Sequence, residues 1–278
     1  MQQALGTCWS TLQSVADQAE PYTGPSFKYV PGFAAIFAAI YLTGFAVMGN
    51  LGLTGKKRGT LASCCISIVH GFLTTNLSGW QLYVSFPFRM DDVNTEVQNI
   101  VLELCLAYML VDEFLFLLPI TPDDWLFIGH HAMVIIYTIG SLLIGRGAIS
   151  CLVLMCIGEI TSPMQNSWYL AKDLRGYVKG AETAYKWIST PYTLWFILVR
   201  TCVGLPLISW FAWTITTLHP SAVPAHFRWT WASFAVLGVS GSQLWSRNLW
   251  KGYCSGDLEG EHPIDAKTKA FEPKSKTK

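Results

Sequence analysis

The chain has 278 residues, a formal net charge of +1, 51% hydrophobic residues and only 13% charged residues. Soluble domains average about 25% charged residues, and the near-neutral charge gives no sign of nucleic-acid binding. The apolar residues come in long blocks and not in short alternating segments, which argues against a β-barrel. We therefore predict an all-α fold, an integral membrane protein built as a polytopic transmembrane helical bundle.

Seven apolar stretches are predicted spans, because each is long enough to cross a bilayer as a helix. In chain order they cover residues 30–49, 61–80, 99–120, 125–145, 148–171, 191–217 and 229–250. The second and fifth stretches are the least apolar, so a bundle of six spans is the main alternative. The predicted architecture is a bundle of six to seven spans.

Lysine and arginine are unevenly distributed between the predicted loops. Thirteen of them fall at 56–58, at 172–186 and after residue 250, whereas four fall in the loops on the other side. Cytosolic loops are enriched in these residues, so seven spans place the N-terminus in the lumen and the C-terminus in the cytosol. We expect a short lumenal segment at 1–29, a multi-pass membrane domain at 30–250 and a disordered cytosolic tail at 251–278.

The last five residues are Lys274-Ser-Lys276-Thr-Lys278. Lysines at the third and fifth positions from the end resemble the dilysine signal, an address that a receptor uses to return proteins to the endoplasmic reticulum. The alternative is an ordinary lysine-rich tail. We predict that the protein resides in the endoplasmic reticulum membrane.

The fourth span carries an adjacent histidine pair, His130 and His131, inside an apolar run. Polar groups at membrane depth are costly and usually serve a function. At a rise of about 1.5 Å per residue, the pair lies about 8 Å from the cytosolic end of its span. Other spans bring further polar residues to this half of the bilayer, namely His70, Asp112, Glu159, Gln165, Asn166 and Arg200. The sequence therefore predicts a polar layer inside the bundle.

Such a layer suits proton transfer, because histidine exchanges a proton near neutral pH. Asp112 or Glu159 would orient a histidine ring and stabilise its charged form. Adjacent residues project about 100° apart on a helix, so the pair cannot face one point. One histidine would contact a substrate and the other a neighbouring helix. The alternative is that the pair serves as a hydrogen-bonding station between helices.

We expect no metal and no cofactor. Of the six histidines, His70, His130 and His131 fall in predicted spans, which is too few for a di-iron site of the desaturase kind. A single metal held by His70, one histidine of the pair and a carboxylate is a weaker alternative.

The fifth span contains Pro163, four residues after Glu159. Proline has no backbone N–H to donate, so it should kink the helix. The kink would open space for a lipid chain next to Glu159, or it would serve packing alone.

Five short motifs follow one another between residue 58 and about residue 250. They are His70-Gly71 after a serine- and cysteine-rich stretch, Tyr108-Met-Leu-Val-Asp112, Ile128-Gly-His130-His131, Gly158-Glu159-Ile-Thr-Ser162-Pro163-Met-Gln-Asn166 and Arg247-Asn248-Leu-Trp250. Each motif is short, but in this order and spacing they resemble the TLC domain family of membrane proteins. The resemblance implies a helical membrane bundle that handles lipids.

Ceramide synthases are the enzymatic members of this family, and they join an acyl-CoA to the amine of a sphingoid base. Their motif has a histidine pair followed, on the next helix, by two aspartates three residues apart. The pair corresponds to His130 and His131, the first aspartate to Glu159, and the second to Ser162, which cannot act as a carboxylate. The pattern Glu-x-Thr-Ser-Pro-x-x-Asn is instead similar to the TLC domain-containing proteins outside that branch.

The resemblance favours a protein that acts in lipid homeostasis by binding or handling membrane lipids. The alternative is an acyl-CoA-dependent N-acyltransferase of the ceramide synthase type, and a transporter ranks last. Candidate catalytic residues are His130, His131, Glu159 and Asp112, and candidate lipid-binding residues are His70, Ser162, Asn166 and Arg200. Expected partners are membrane lipid and, for the enzyme, acyl-CoA, whose phosphates would meet Lys172, Arg175 and Lys179. A homo-oligomer is a further option, and nucleic acid is not expected.

Overall fold

The computed structural model describes residues 27–116 and 124–255. Three predicted features lie outside the described residues. They are the lumenal segment up to residue 26, the last four residues of the third span, and the tail from residue 256 with its lysine signal. Within them, the secondary structure is helical apart from one isolated β-bridge between Val93 and Arg146.

The described residues form seven helical segments. They are α1 (Val30–Asn50), α2 (Gly55–Val84), α3 (Glu96–Phe116), α4 (Trp125–Ile144), α5 (Ala148–Asp173), α6 (Ala181–Thr217) and α7 (Ala225–Ser255). The helices α1, α2, α4, α5 and α6 are long and apolar enough to span a membrane. The predicted all-α polytopic bundle of six to seven spans is confirmed.

The helix α3 is buried over much of its length, which explains why it is less apolar than a lipid-facing span. Every residue from 101 to 109 is buried. Its acidic residues include Glu103 and Asp112, both buried within the bundle. A helix that faces other helices can carry such groups where their partners are supplied by the protein.

The helices α2 to α7 form a ring, and α1 packs outside it against α2 and α3. Neighbours in the ring are α2 and α3, α3 and α4, α4 and α7, α7 and α6, α6 and α5, and α5 and α2. One end of the bundle holds Lys56 at the start of α2 and Asp124 at the start of α4, and we name it the Lys56 end. The opposite end holds the loops around Asp91 and is named the Asp91 end.

The α4–α5 turn and α7 pack tightly together at the Asp91 end. Gly145 and Gly147 have φ of 65° and 80°, in the left-handed region that favours glycine. The Trp231 ring stacks on Tyr137 with centroids 4.5 Å apart. It also lies so close to Gly147 that a Cβ there would be 2.7 Å from the indole. These contacts hold α4 and α7 together at this end.

A carboxylate ties the loops at the Asp91 end. Arg89 Nε donates to Asp91 Oδ1 at 3.0 Å, and the Ala222 backbone N–H donates to Oδ2 at 3.1 Å. The Asp91 carbonyl accepts a hydrogen bond from Arg146 at 3.1 Å. Burial alone would raise the pKa of Asp91, but the hydrogen bonds and the charge of Arg89 outweigh it, so this pKa is lowered from its ordinary value.

The first turn of α1 is held by a side chain of α3. Glu103 Oε2 accepts hydrogen bonds from the backbone N–H groups of Tyr29 at 2.6 Å and Val30 at 3.2 Å. The first N–H groups of a helix have no partner within it, and a carboxylate at this end also suits the helix dipole. The buried position of Glu103 thereby has a structural reason.

The helix ends differ from the apolar stretches that predicted them. α2 begins at Gly55 and not at residue 61, and α6 begins at Ala181 and not at residue 191. Pro191 lies inside α6, although proline usually marks a helix start. Hydropathy therefore located the membrane-depth part of each helix and missed the polar turns that continue beyond it.

Candidate functional site

A cavity of about 1070 Å³ lies inside the ring and extends to the Lys56 end. Ligand pockets commonly measure about 300–1,000 Å³, so this cavity can hold a large ligand. Residues of all six ring helices line it. Its apolar walls include Met109, Met133, Val134, Leu154, Phe196 and Ile208.

The structure brings seven of the eight predicted site residues to this cavity. They are Asp112, His130, His131, Glu159, Ser162, Asn166 and Arg200. His70 is fully buried and lies behind the cavity wall, against Tyr108. The predicted polar layer is therefore one cluster, contributed by α2, α3, α4, α5 and α6.

Asp112 is held in place by hydroxyl groups. Ser63 donates to Asp112 Oδ1 at 2.6 Å, and the Tyr108 hydroxyl donates to Oδ2 at 3.2 Å. Tyr108 also shares a hydrogen bond of 2.9 Å with Ser67. All four side chains are buried, where polar groups need such partners. The carboxylate thus has a defined position beside the cavity.

His131 lies between two carboxylates of α3. Its Nδ1 is 3.2 Å from Glu113 Oε2, and its Nε2 is 3.6 Å from Asp112 Oδ2. The ring is 5% exposed. Both ring nitrogens therefore face α3, and His131 acts as a link between α3 and α4.

His130 points the other way. Its ring centroid is 5.8 Å from that of His131, and the two planes are inclined by 52°. The His130 ring is exposed and lines the cavity. Within residues 27–116 and 124–255, His130 makes no hydrogen bond. The two rings thus point in different directions, as predicted, with His131 facing α3 and His130 facing the cavity.

His70 pairs with Glu159 from behind the wall. Its Nδ1 lies 3.6 Å from Glu159 Oε2, and its ring stacks on Tyr108 with centroids 3.8 Å apart and planes 9° apart. Phe37 of α1 contacts the same ring edge-on, with centroids 6.2 Å apart. Each of the two predicted carboxylates therefore has a histidine nitrogen 3.6 Å away, that of His131 for Asp112 and that of His70 for Glu159.

The helix α5 is interrupted next to Glu159, as the proline predicted. Its two parts are Ala148–Glu159 and Ser162–Asp173. The backbone carbonyl of Gly158 accepts a hydrogen bond from Arg200, whose Nε also donates to Thr161 Oγ1 at 3.1 Å. Trp195 donates to the Ile160 carbonyl at 3.4 Å. Two side chains of α6 thus satisfy the carbonyls that the interruption leaves open.

Two of the residues predicted to bind lipid, Arg200 and Asn166, already make hydrogen bonds within the protein. Arg200 lies in a π-helical turn, Leu198–Val203, and its guanidinium is used on the α5 interruption. Asn166 donates to the Ser162 carbonyl at 2.9 Å. Both line the cavity, but a ligand would meet groups that already have protein partners. Their assignment to lipid binding stays a prediction.

Charged side chains surround the cavity at the Lys56 end. Lys56 Nζ is 2.5 Å from Asp124 Oδ2, which joins α2 to α4. The basic residues here are Lys56, Lys57, Lys172 and Arg175, and the acidic ones are Asp124, Asp173 and Glu182. Of the three basic residues predicted to meet the phosphates of acyl-CoA, Lys172 and Arg175 line the cavity, whereas Lys179 is not among the lining residues.

Glu113 was missed by the sequence analysis, although its Oε2 lies only 3.2 Å from His131 Nδ1. A second carboxylate beside Asp112 in a predicted span was itself an available signal. Among the described residues, no three His, Cys, Asp or Glu side chains are grouped so that they could hold a metal ion. The cluster offers paired carboxylates and histidines, which suit proton transfer and hydrogen bonding.

Comparison with known proteins agrees with these features. A family profile for the TLC domain matches residues 60–251. A TLC domain-containing protein of Arabidopsis thaliana is 31% identical over 233 residues, which cover 81% of this chain and 89% of the relative. The matched region contains the whole ring except the first residues of α2 and the last four of α7, and α1 precedes it.

Proposed function

The chain belongs to the TLC domain family, and we propose that it acts in lipid homeostasis by binding a membrane lipid in the cavity of its helical ring. The observation that carries the proposal is the cavity of about 1070 Å³ with a polar cluster along one wall. A lipid has the matching chemistry, because its chains need apolar walls and its polar part needs hydrogen-bonding groups.

His130 is the side chain best placed to meet the polar part of such a lipid. Its ring faces the cavity, and within the described chain it makes no hydrogen bond, so it can donate or accept one without breaking a protein contact. His131 lacks this freedom, because α3 holds both of its ring nitrogens. The two adjacent histidines therefore differ in role.

Mass spectrometry of lipids that co-purify with the protein tests the proposal. Wild type in mild detergent should retain one or a few lipid species well above their share of the membrane extract. His130→Ala should lose about tenfold in retention, which corresponds to about 1.4 kcal/mol, without a change in thermal stability. A wild-type lipid profile identical to that of the bulk membrane would contradict the proposal.

The endoplasmic reticulum is the proposed location, with the C-terminus in the cytosol. The supporting features are Lys274, Lys276 and the excess of Lys and Arg in the loops of one side. A reporter carrying the tail should be retained in that compartment and should lose retention on Lys276→Ala. Reporter retention that is unchanged by the substitution would contradict the dilysine assignment.

A second candidate function is N-acyl transfer from acyl-CoA to a long-chain amine. The observation that favours it is the exposed His130 ring in a cavity whose opening carries Lys56, Lys57 and Arg175. His130 would take a proton from the amine as its nitrogen attacks the thioester carbonyl. The C–N bond then forms, the C–S bond breaks, and the CoA thiolate leaves and takes up a proton.

Purified protein incubated with mixed acyl-CoAs and sphingoid bases tests this second function. An N-acyl product that disappears in the His130→Ala/His131→Ala double variant would establish it, and would show that Ser162 is tolerated in place of a second carboxylate. Product formation that persists in the double variant excludes the mechanism. Retained lipid without any product leaves lipid binding as the function.

A further inference from the structure

The two helices that close the ring, α4 and α7, meet at the Asp91 end and diverge toward the Lys56 end. Trp231 stacks on Tyr137, and a Cβ on Gly140 would lie 2.9 Å from the Phe227 ring. Beyond these contacts, the facing residues of both helices line the cavity. On α4 they are Leu126, Phe127, His130, Met133 and Val134, and on α7 Phe234, Leu237, Gly238, Gly241, Ser242 and Trp245.

The gap between these two helices, which we name the α4–α7 seam, is lined by exposed apolar side chains. Leu126 of α4 is 59% exposed and Leu237 of α7 is 58% exposed, although both line the cavity. Large apolar side chains exposed on a membrane-spanning bundle face lipid chains. Exposed apolar side chains therefore line the cavity on both sides of the seam.

Two glycines of α7 leave open space along this seam. Gly238 and Gly241 line the cavity, and no atom lies within 4 Å of the position that a Cβ would take on either. By contrast, a Cβ on Gly71 or Gly140 would lie 2.9 Å from a neighbouring side chain. Gly238 and Gly241 are thus not required for helix packing.

Because glycine is costly inside a helix, two helical glycines without a packing role call for another explanation. A glycine inside a helix lowers the equilibrium constant for folding roughly fivefold relative to alanine. Residues three apart lie on the same helix face, so both glycines widen the cavity along one strip of α7. The open strip lies in the wall of the cavity that His130 also lines, so it is available as a surface for a ligand.

Resting on the proposed lipid binding, we propose that one hydrocarbon chain of the lipid enters from the bilayer through the α4–α7 seam and lies along Gly238 and Gly241. The polar end of that chain faces His130. The two glycines then determine how thick and how long a chain the cavity accepts. Side chains added at either position occupy the space of the chain and do not disturb the helix.

A photoreactive lipid tests the proposal in the full-length protein. The probe is hexadecanoic acid that carries a diazirine and an alkyne, used both as the free acid and as an acyl chain of phosphatidylcholine in vesicles. In wild type, the cross-links should fall on cavity-lining residues of α4 and α7. Gly241→Leu and Gly238→Leu should each lower this labelling about tenfold, because each added side chain fills space along the strip that the lipid chain would occupy.

Gly32→Leu is the matched control. Gly32 also lies in a helix with no atom within 4 Å of its Cβ position, but it is exposed on α1 and does not line the cavity. Its labelling should stay within about twofold of wild type, as for other surface changes. Gly241→Ala should give an intermediate loss, and all variants should melt at or above the wild-type temperature.

Two results would overturn the proposal. One is undiminished labelling inside the cavity of Gly241→Leu and Gly238→Leu. The other is labelling of α7 confined to its outward residues, such as Val236 and Leu244. If lipid still co-purifies with wild type in either case, the proposed function stands and the entry route fails. If no lipid co-purifies, the proposed function itself fails.

Discussion

Gly71 is the position where a single added methyl group should strain the site most directly. A Cβ on Gly71 would lie 2.9 Å from Ser162 Cβ and 3.0 Å from Pro163 Cδ. Neither atom is the end of a flexible side chain, so α2 and α5 would have to move apart. The contact also lies next to His70, which pairs with Glu159 across the same helix boundary.

Gly71→Ala therefore has two opposing effects on stability. Replacing a helical glycine with alanine gains about 1 kcal/mol, whereas overpacking costs about 1–3 kcal/mol. Gly79→Ala is the matched control on the same helix, because its Cβ would be 3.8 Å from Cys156 Sγ, an ordinary contact. The helix gain is common to both, so Gly71→Ala should be less stable than Gly79→Ala by about 1–3 kcal/mol.

Thermal unfolding in detergent measures this difference. A thiol-reactive dye reports unfolding, because Cys64, Cys105 and Cys151 are buried free cysteines. At roughly 2–4 °C per kcal/mol, a gap of about 2 kcal/mol separates the two Tm values by about 4–8 °C. Lipid retention should fall in Gly71→Ala only. An equal or higher Tm for Gly71→Ala than for Gly79→Ala would refute the packing argument.

Two further predictions concern the ends of the bundle. Asp91→Asn should lower stability by about 1–3 kcal/mol at neutral pH, through weaker hydrogen bonds. The pKa of Asp91 is lowered in the folded state, so its contribution is complete above the ordinary value of about 3.9 and is lost as the pH falls below it. Measured against pH, the Tm difference between wild type and Asp91→Asn should narrow as the pH falls below about 3.9. A Tm difference that stays constant would contradict the assignment. Glu103→Leu should cost about 1–3 kcal/mol in the same assay, because it leaves two N–H groups of α1 without their acceptor. Glu103→Gln, which keeps one side-chain oxygen, should cost less; equal costs would contradict the capping role.

The parts of the fold that hydropathy could predict are those in which apolar runs face lipid. All seven helices were located in this way, and their order alone placed the charged loops on two sides. The polar first turns of α2 and α6 were missed, because Lys56 and Glu182 lie beyond the apolar blocks. Pro191 suggested a helix start, yet local sequence cannot show that a bundle tolerates proline within a helix.

The sequence predicted which residues form the site, but not which of their side chains contact each other. The costs of burying His131, Asp112 and Glu159 marked them as functional candidates, and the structure brings them to one cavity. That His131 belongs to Glu113 and Asp112 depends on how α3 crosses α4, which no spacing along the chain encodes. The use of Arg200 on the α5 interruption likewise depends on the packing of α5 against α6.

The hydrogen bonds between Glu103 and the start of α1 have a consequence for biosynthesis. Tyr29 and its acceptor are separated by 74 positions in the chain. At about 5–20 residues per second, the ribosome adds Tyr29 to the chain about 4–15 s before it adds Glu103. During that interval the first N–H groups of α1 must bond to water at the membrane surface. The helix α1 is thus made first but can reach its final position only after α3 has been inserted.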